Sequence, residues 1–161
     1  MSVMSVPVST PISGQTPRLL RPILAGGAIA GAFDIASAFH TFGRNVPKGI
    51  AAGLLGSSAF KGGAGVWILG FILHFTIAFG AAAIYNLAAR RLTYLRDSFI
   101  VCGIFYGIAV WMVMNLVVLP LSAFPIKTKT FTSAGLEMGM LMLVLLIGLP
   151  ISICARLFSK R

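Results

Sequence analysis

The sequence predicts an all-α polytopic membrane protein. Four transmembrane helices form one bundle, with a short interfacial or re-entrant helix between the first and the second. Three observations predict it. The chain is 58% hydrophobic and only 10% charged, whereas soluble domains carry about 25% charged residues. A soluble fold of this length cannot hide so much apolar surface, and lipid removes the need. Next, Val66 to Ala89 is a run of 24 residues without Lys, Arg, Asp or Glu. As a helix it reaches about 36 Å, enough to cross a hydrocarbon core of about 30 Å with some tilt. Last, three more apolar runs of similar length alternate with basic connections.

The elements follow in order. Residues 1–21 are rich in Ser, Thr and Pro and end on Arg18 and Arg21, which predicts a flexible cytoplasmic tail. Pro22 opens helix one, as proline does in a first turn, and the helix runs to about Phe42. Gly27, Gly31, Asp34 and Ala38 share one of its faces, where small residues let another helix approach closely. Asp34 therefore points into the bundle. Arg18 and Arg21, the apolar run and Ala36-Ser37-Ala38 also fit a signal peptide with a cleavage site, but an aspartate inside the run argues against that.

Ile50 to Phe60 is a small-residue helix too short to span, placed in the interface or re-entrant. Helix two covers about 66–89, with Gly70, His74, Ala78, Ala81 and Tyr85 on its small and polar face. Helix three covers about 98–119 and stops at Pro120; Gly103, Gly107, Trp111 and Asn115 recur every fourth residue on a packing face. Helix four covers about 133–156, with Glu137 near its start and a bend expected at Pro150. Residues 157–161 form a basic tail. The transmembrane domain is thus 22–156.

Four spans put both termini on one side. Arg18, Arg21, Arg90, Arg91, Arg96, Arg156, Lys160 and Arg161 fall there, eight basic residues against five (Arg44, Lys48, Lys61, Lys127, Lys129) on the other. The excess places both termini in the cytoplasm of a bacterial inner membrane. The net charge of +10 is spread between apolar runs, where it meets headgroups. No clustered basic face exists, which excludes a nucleic-acid binder. Cys102 and Cys154 lie inside apolar runs and read as small buried hydrophobes, with no zinc or haem-attachment spacing.

Orientation gives depth. Asp34 lies eight residues before the outer end of helix one, and His74 eight residues after the outer start of helix two, both about 12 Å deep. His40, Asn115 and Glu137 fall in the same outer half. All four spans thus contribute to one polar layer, a candidate cluster of Asp34, His74, Glu137, His40 and Asn115. Asp34 and His74 at matching depth can form a carboxylate–imidazole pair that carries a proton. His40 and His74 are the weak candidates for a metal, because no ligand spacing within one helix supports them.

His74 with Tyr85 eleven residues on, the glycine-rich helix three, Pro120-Leu121 with Pro125, and Glu137 opening helix four resemble the YagU-like family of small bacterial inner-membrane proteins over about 66–156. The resemblance implies a four-helix topology, points to His74 and Glu137, and carries no established catalytic residue.

No nucleophile elbow, phosphate loop, HExxH or redox CxxC is present, so an enzyme is not expected, nor a cofactor. The first expectation is proton or small-solute handling by the polar cluster. The alternatives are an accessory subunit of a larger membrane complex or homo-oligomer packed through Gly27, Gly31, Gly70, Gly103 and Gly107, and a metal- or haem-binding membrane protein. The bilayer is the partner common to all three.

Overall fold

The computed structural model describes residues 17–125 and 133–159. Helix α1 spans Pro17–Phe42. Helix α2 spans Val46–Leu55 and runs on as a 3-10 turn, Gly56–Lys61. Helix α3 spans Ala64–Arg91, and a single turn, Tyr94–Asp97, follows it. Helix α4 starts as Phe99–Val113, widens into a π turn at Met114–Val118 and ends at Leu119–Leu121. Helix α5 starts as Ser133–Leu143, widens at Val144–Gly148 and ends as Leu149–Ser159. Among the described residues, four helices are long and apolar enough to cross a membrane: Leu19–Phe42, Ala64–Arg91, Phe99–Leu121 and Gly135–Phe158.

The ends of these helices have local causes. Gly43 takes φ +79° and ends α1; Gly56 takes φ +64° and ends α2, a backbone that a Cβ disfavours. Pro47 sits in the first turn of α2, where a missing N–H costs nothing. Arg90 and Arg91 fill the last turn of α3, next to its unpaired carbonyls.

Several boundaries differ from those read in the sequence. Of the tail expected over 1–21, residues 1–16 lie outside the described residues, and from Pro17 the chain is already helical. Helix α1 therefore starts five residues before Pro22, which lies inside it and has no N–H to give the Arg18 carbonyl. The short helix starts at Val46, not Ile50. Helix α4 does not stop before Pro120 but passes it. Lys127, Lys129, Lys160 and Arg161 lie outside the described residues.

The two prolines explain the two π turns. A proline in a helix has no N–H to give and presses its ring on the carbonyl four residues back. Leu119 donates to the Met114 carbonyl and Leu149 to the Val144 carbonyl, each five residues back. The widened turn makes room for Pro120 and Pro150, which follow directly, so both helices continue.

Packing pairs α1 with α3, α1 with the second half of α5, and α4 with α5. Small residues set these contacts. A Cβ on Gly27 would meet the ring and Cα of Phe79, and one on Gly31 the ring of Phe75 and the Cβ of Ala78. A Cβ on Gly107 would meet the Val144 backbone, and one on Gly148 the Gly103 carbonyl. Helices α4 and α5 thus cross backbone against backbone at the π turn. The buried core is correspondingly fine-grained: Ala30, Ala82, Ala89 and Ala155 around Tyr85 and Ile151. Large apolar side chains face outward instead, Phe105 at 67% and Leu116 at 65% exposure. Between helices in lipid there is no hydrophobic gain from burying leucine, so small residues inside and large ones outside is the arrangement that suits a bilayer.

Helix α2 lies on α3 at one end of the bundle. The Pro47 carbonyl rests on Gly70, where a Cβ has no room. The Ala123 N–H donates to the Gly53 carbonyl at 2.8 Å, and the Phe60 and Phe124 rings meet edge to face at 6.5 Å. The α2 segment therefore bridges α3 and the end of α4.

Candidate functional site

Gly31 is the residue that makes the site possible. With no side chain there, α3 comes close enough for His74 to reach the α1 backbone. His74 Nε2 lies 2.9 Å from the Gly31 carbonyl oxygen. A carbonyl only accepts, so Nε2 carries a hydrogen and donates it. The other ring nitrogen, Nδ1, faces Asp34 Oδ2 at 4.0 Å. His74 is buried, and its ring stands edge-on to Phe75 with centroids 5.4 Å apart.

This geometry constrains protonation. With Nε2–H fixed, a neutral imidazole aims its bare Nδ1 lone pair at the carboxyl group. Against an ionised Asp34 that contact is repulsive. One proton, on Nδ1 or on the carboxyl, turns it into an attraction. At 4.0 Å the two atoms are beyond hydrogen-bond distance, which leaves room for the pair to tighten or to admit a third group.

Asp34 and His74 line a cavity of about 260 Å³. Its other walls are apolar: Ile35 and Ala38 from α1, Ile50 from α2, Ala78 from α3, Val110 and Met114 from α4, Ile147 from α5. Phe42, Val46, Ile50, Ile77 and Met114 also line a second, more open cleft of about 500 Å³ beneath α2. The two adjoin, with the acid–imidazole pair at the inner end and Gly53, Phe60, Ser122 and Phe124 toward the α2 end. Among the described residues no donor lies within hydrogen-bond distance of the Asp34 carboxyl, and its side chain keeps 26% exposure.

Of the five residues read as a polar layer, the structure brings two together. His40 is exposed. Glu137 is exposed too, on the first segment of α5, which packs principally on α4. Asn115 turns back on its own helix, its amide donating to the Trp111 carbonyl at 2.9 Å within the widened turn. The metal reading of His40 with His74 pairs an exposed ring with a buried one. Among the described residues no group of three or more His, Cys, Asp or Glu is placed to hold a metal ion.

Three features were not read in the sequence. Trp67, Phe71, Phe75 and Phe79 form a ladder along α3, with neighbouring centroids 5.0–6.2 Å apart and Phe39 stacked on Trp67 at 6.2 Å. Their spacing of four was the available signal. Tyr106 donates to the Ala81 carbonyl at 2.6 Å and Tyr85 to the Leu95 carbonyl at 2.8 Å, tying α4 and the α3–α4 connection to α3. Arg156 donates to the carbonyls of Arg96 and Asp97, each at 2.8 Å, and lies 4.8 Å over the Phe99 ring.

The fold and the site define a small all-helical protein with four apolar, membrane-length helices and an acid–imidazole pair in a cavity between them. Comparison with protein families, with curated proteins and with solved structures finds no match to this chain.

Proposed function

We propose that this is a polytopic protein of the bacterial inner membrane, both termini cytoplasmic, that handles a proton or a small solute through Asp34 and His74 in its periplasmic half. One observation carries the reading: a carboxyl and an imidazole 4.0 Å apart, placed so that one shared proton makes their contact attractive, open into an apolar cavity inside the span of the bundle. Ionisable groups at such depth are costly and are retained where they move or bind something. The charge asymmetry of the connections supports the orientation. The resemblance to the YagU-like family supports the topology only.

The test is infrared titration of the purified protein. The carboxylic-acid C=O stretch of Asp34, identified by its loss in Asp34→Asn, should appear and disappear with pH. His74→Gln, which keeps a donor for the Gly31 carbonyl, should shift that titration while the protein stays folded. No titrating band in a folded protein would overturn the reading.

The second reading is an accessory subunit or homo-oligomer. It is favoured by Thr76 and Gly80, a small polar-to-small step on an exposed face of α3 with open space around Gly80. It predicts that Asp34→Asn and His74→Gln both lose the folded protein.

A further inference from the structure

We propose that the Asp34–His74 cavity binds a lipophilic organic ammonium ion and releases the pair's proton in exchange. The proposal rests on the reading of Asp34 and His74 as a one-proton pair and names the ligand class of that site.

The walls exclude most chemistries. Of the residues lining the cavity, Asp34 and His74 alone are titratable; α2 contributes Val46 and Ile50, α4 Val110 and Met114, α5 Leu143 and Ile147. An anionic ligand would meet a carboxylate with only the imidazole to balance it. A ligand with acceptors alone leaves an ionised Asp34 without a donor, since among the described residues none reaches its oxygens, which line the cavity. A hydrated inorganic cation would lose its water to apolar walls that return no oxygens. What remains is a group that brings both a positive charge and N–H donors, on a hydrocarbon body that the apolar cleft beneath α2 can bury. The cleft of about 500 Å³ lies within the range of about 300–1,000 Å³ that small-molecule sites occupy.

The exchange balances. The resting pair is a protonated Asp34 with a neutral His74, neutral together. An incoming R–NH3+ takes the place of the carboxyl proton and hydrogen-bonds the carboxylate that is left. Asp34 gives that proton up to water, while His74 keeps Nε2–H on the Gly31 carbonyl and stays neutral. One positive charge enters, one proton leaves, and the site remains neutral throughout. The 4.0 Å gap between Nδ1 and Oδ2 is where the ammonium hydrogen would be admitted.

The experiment uses the full chain in lipid nanodiscs, with n-octylammonium as the probe and n-octanol as its uncharged counterpart. Calorimetry in two buffers of different ionisation enthalpy counts protons. The expected result is one proton released per n-octylammonium bound and none for n-octanol. Affinity for the cation should rise about tenfold per pH unit while the pair is protonated and level off above that. Asp34→Asn, checked for folding by circular dichroism, should abolish the cation's advantage. Equal affinity for the cation and the alcohol, or no proton release, would overturn the proposal. If in that case the Asp34 infrared band still titrates, the one-proton pair stands and only the exchange falls; if the band is silent, both fall.

Discussion

His74 Nε2 and the Gly31 carbonyl oxygen meet at 2.9 Å across 43 residues of sequence. That one bond sets the tautomer of the imidazole, aims Nδ1 at Asp34, and fixes α3 against α1. It exists because residue 31 has no side chain. The site is thus a consequence of helix packing, and its chemistry cannot be altered at Gly31 without altering the packing.

Gly31→Ala should therefore be costly. Its Cβ would sit 3.0 Å from Phe75 Cε1 and 3.1 Å from the Ala78 Cβ, both tighter than ordinary contact. Overpacking of this kind costs about 1–3 kcal/mol. Gly80→Ala is the control on the same pair of helices: a Cβ there meets nothing within 4 Å, so alanine should stabilise α3 by about 0.5–1 kcal/mol. Thermal unfolding in one detergent reads both. Equal midpoints for the two variants would show that the α1–α3 contact is looser than described.

Arg156 should be irreplaceable by lysine. Its guanidinium donates to the Arg96 and Asp97 carbonyls and lies over the Phe99 ring at once. An ammonium cannot match that planar fork. Hydrogen bonds from charged groups are worth about 1.5–3 kcal/mol when well shielded, and the partial exposure here lowers the figure to about 1 kcal/mol for Arg156→Lys. The local effect is the sharper readout. Amide exchange over Leu92–Ser98 should quicken, and trypsin should cut after Arg96 sooner than in the parent. Unchanged exchange there would mean the Tyr85 bond to the Leu95 carbonyl already holds the connection alone.

What the sequence revealed and what it hid follow from one geometric fact. Counting residues from the helix ends placed Asp34 and His74 at matching depth, and they do meet, because α1 and α3 are regular helices between their ends. The same counting grouped Glu137 with Asp34. It failed there because depth does not fix a face: the first segment of α5 has mainly α4 to lean on, so Glu137 stays exposed. His40 shares the fate of most residues near a helix end. Pro120 and Pro150 were visible as disturbances, but whether a proline stops, bends or widens a helix depends on the neighbour. Here Gly107 and Gly103 offer Val144 and Gly148 a bare backbone to press against.

The π turn in α5 makes a prediction about deletions. A five-residue hydrogen-bond step holds one residue more than an α turn, so removing one residue inside it restores a regular helix without rotating either end. In a Pro150→Ala background, deleting the exposed Leu145 should give a folded protein. Deleting the exposed Ile153 in the same background rotates the final segment by about 100°, carrying Cys154, Ala155 and Arg156 off their contacts. Yield of monodisperse protein and the unfolding midpoint should separate the two variants clearly. Equal loss in both would show that the wide turn itself is needed where α4 and α5 cross.

The cleft beneath α2 adjoins the cavity, and closing it should separate entry from chemistry. Gly53 lines that cleft but not the inner cavity, and a Cβ there has only the Ser122 Cβ near, at 3.7 Å. Gly53→Trp therefore has room to start and a cleft to fill. The indole should stack among Phe42, Phe60 and Phe124 without reaching Asp34 or His74. The infrared titration of Asp34 should stay as in the parent, since a proton needs no such opening. Association of n-octylammonium should slow by about an order of magnitude, with the equilibrium proton count unchanged. A variant that binds the cation as fast as the parent would show entry between other helices. The flank between α1 and α4, where Ala38, Val110 and Met114 line the cavity, is then the place to block next.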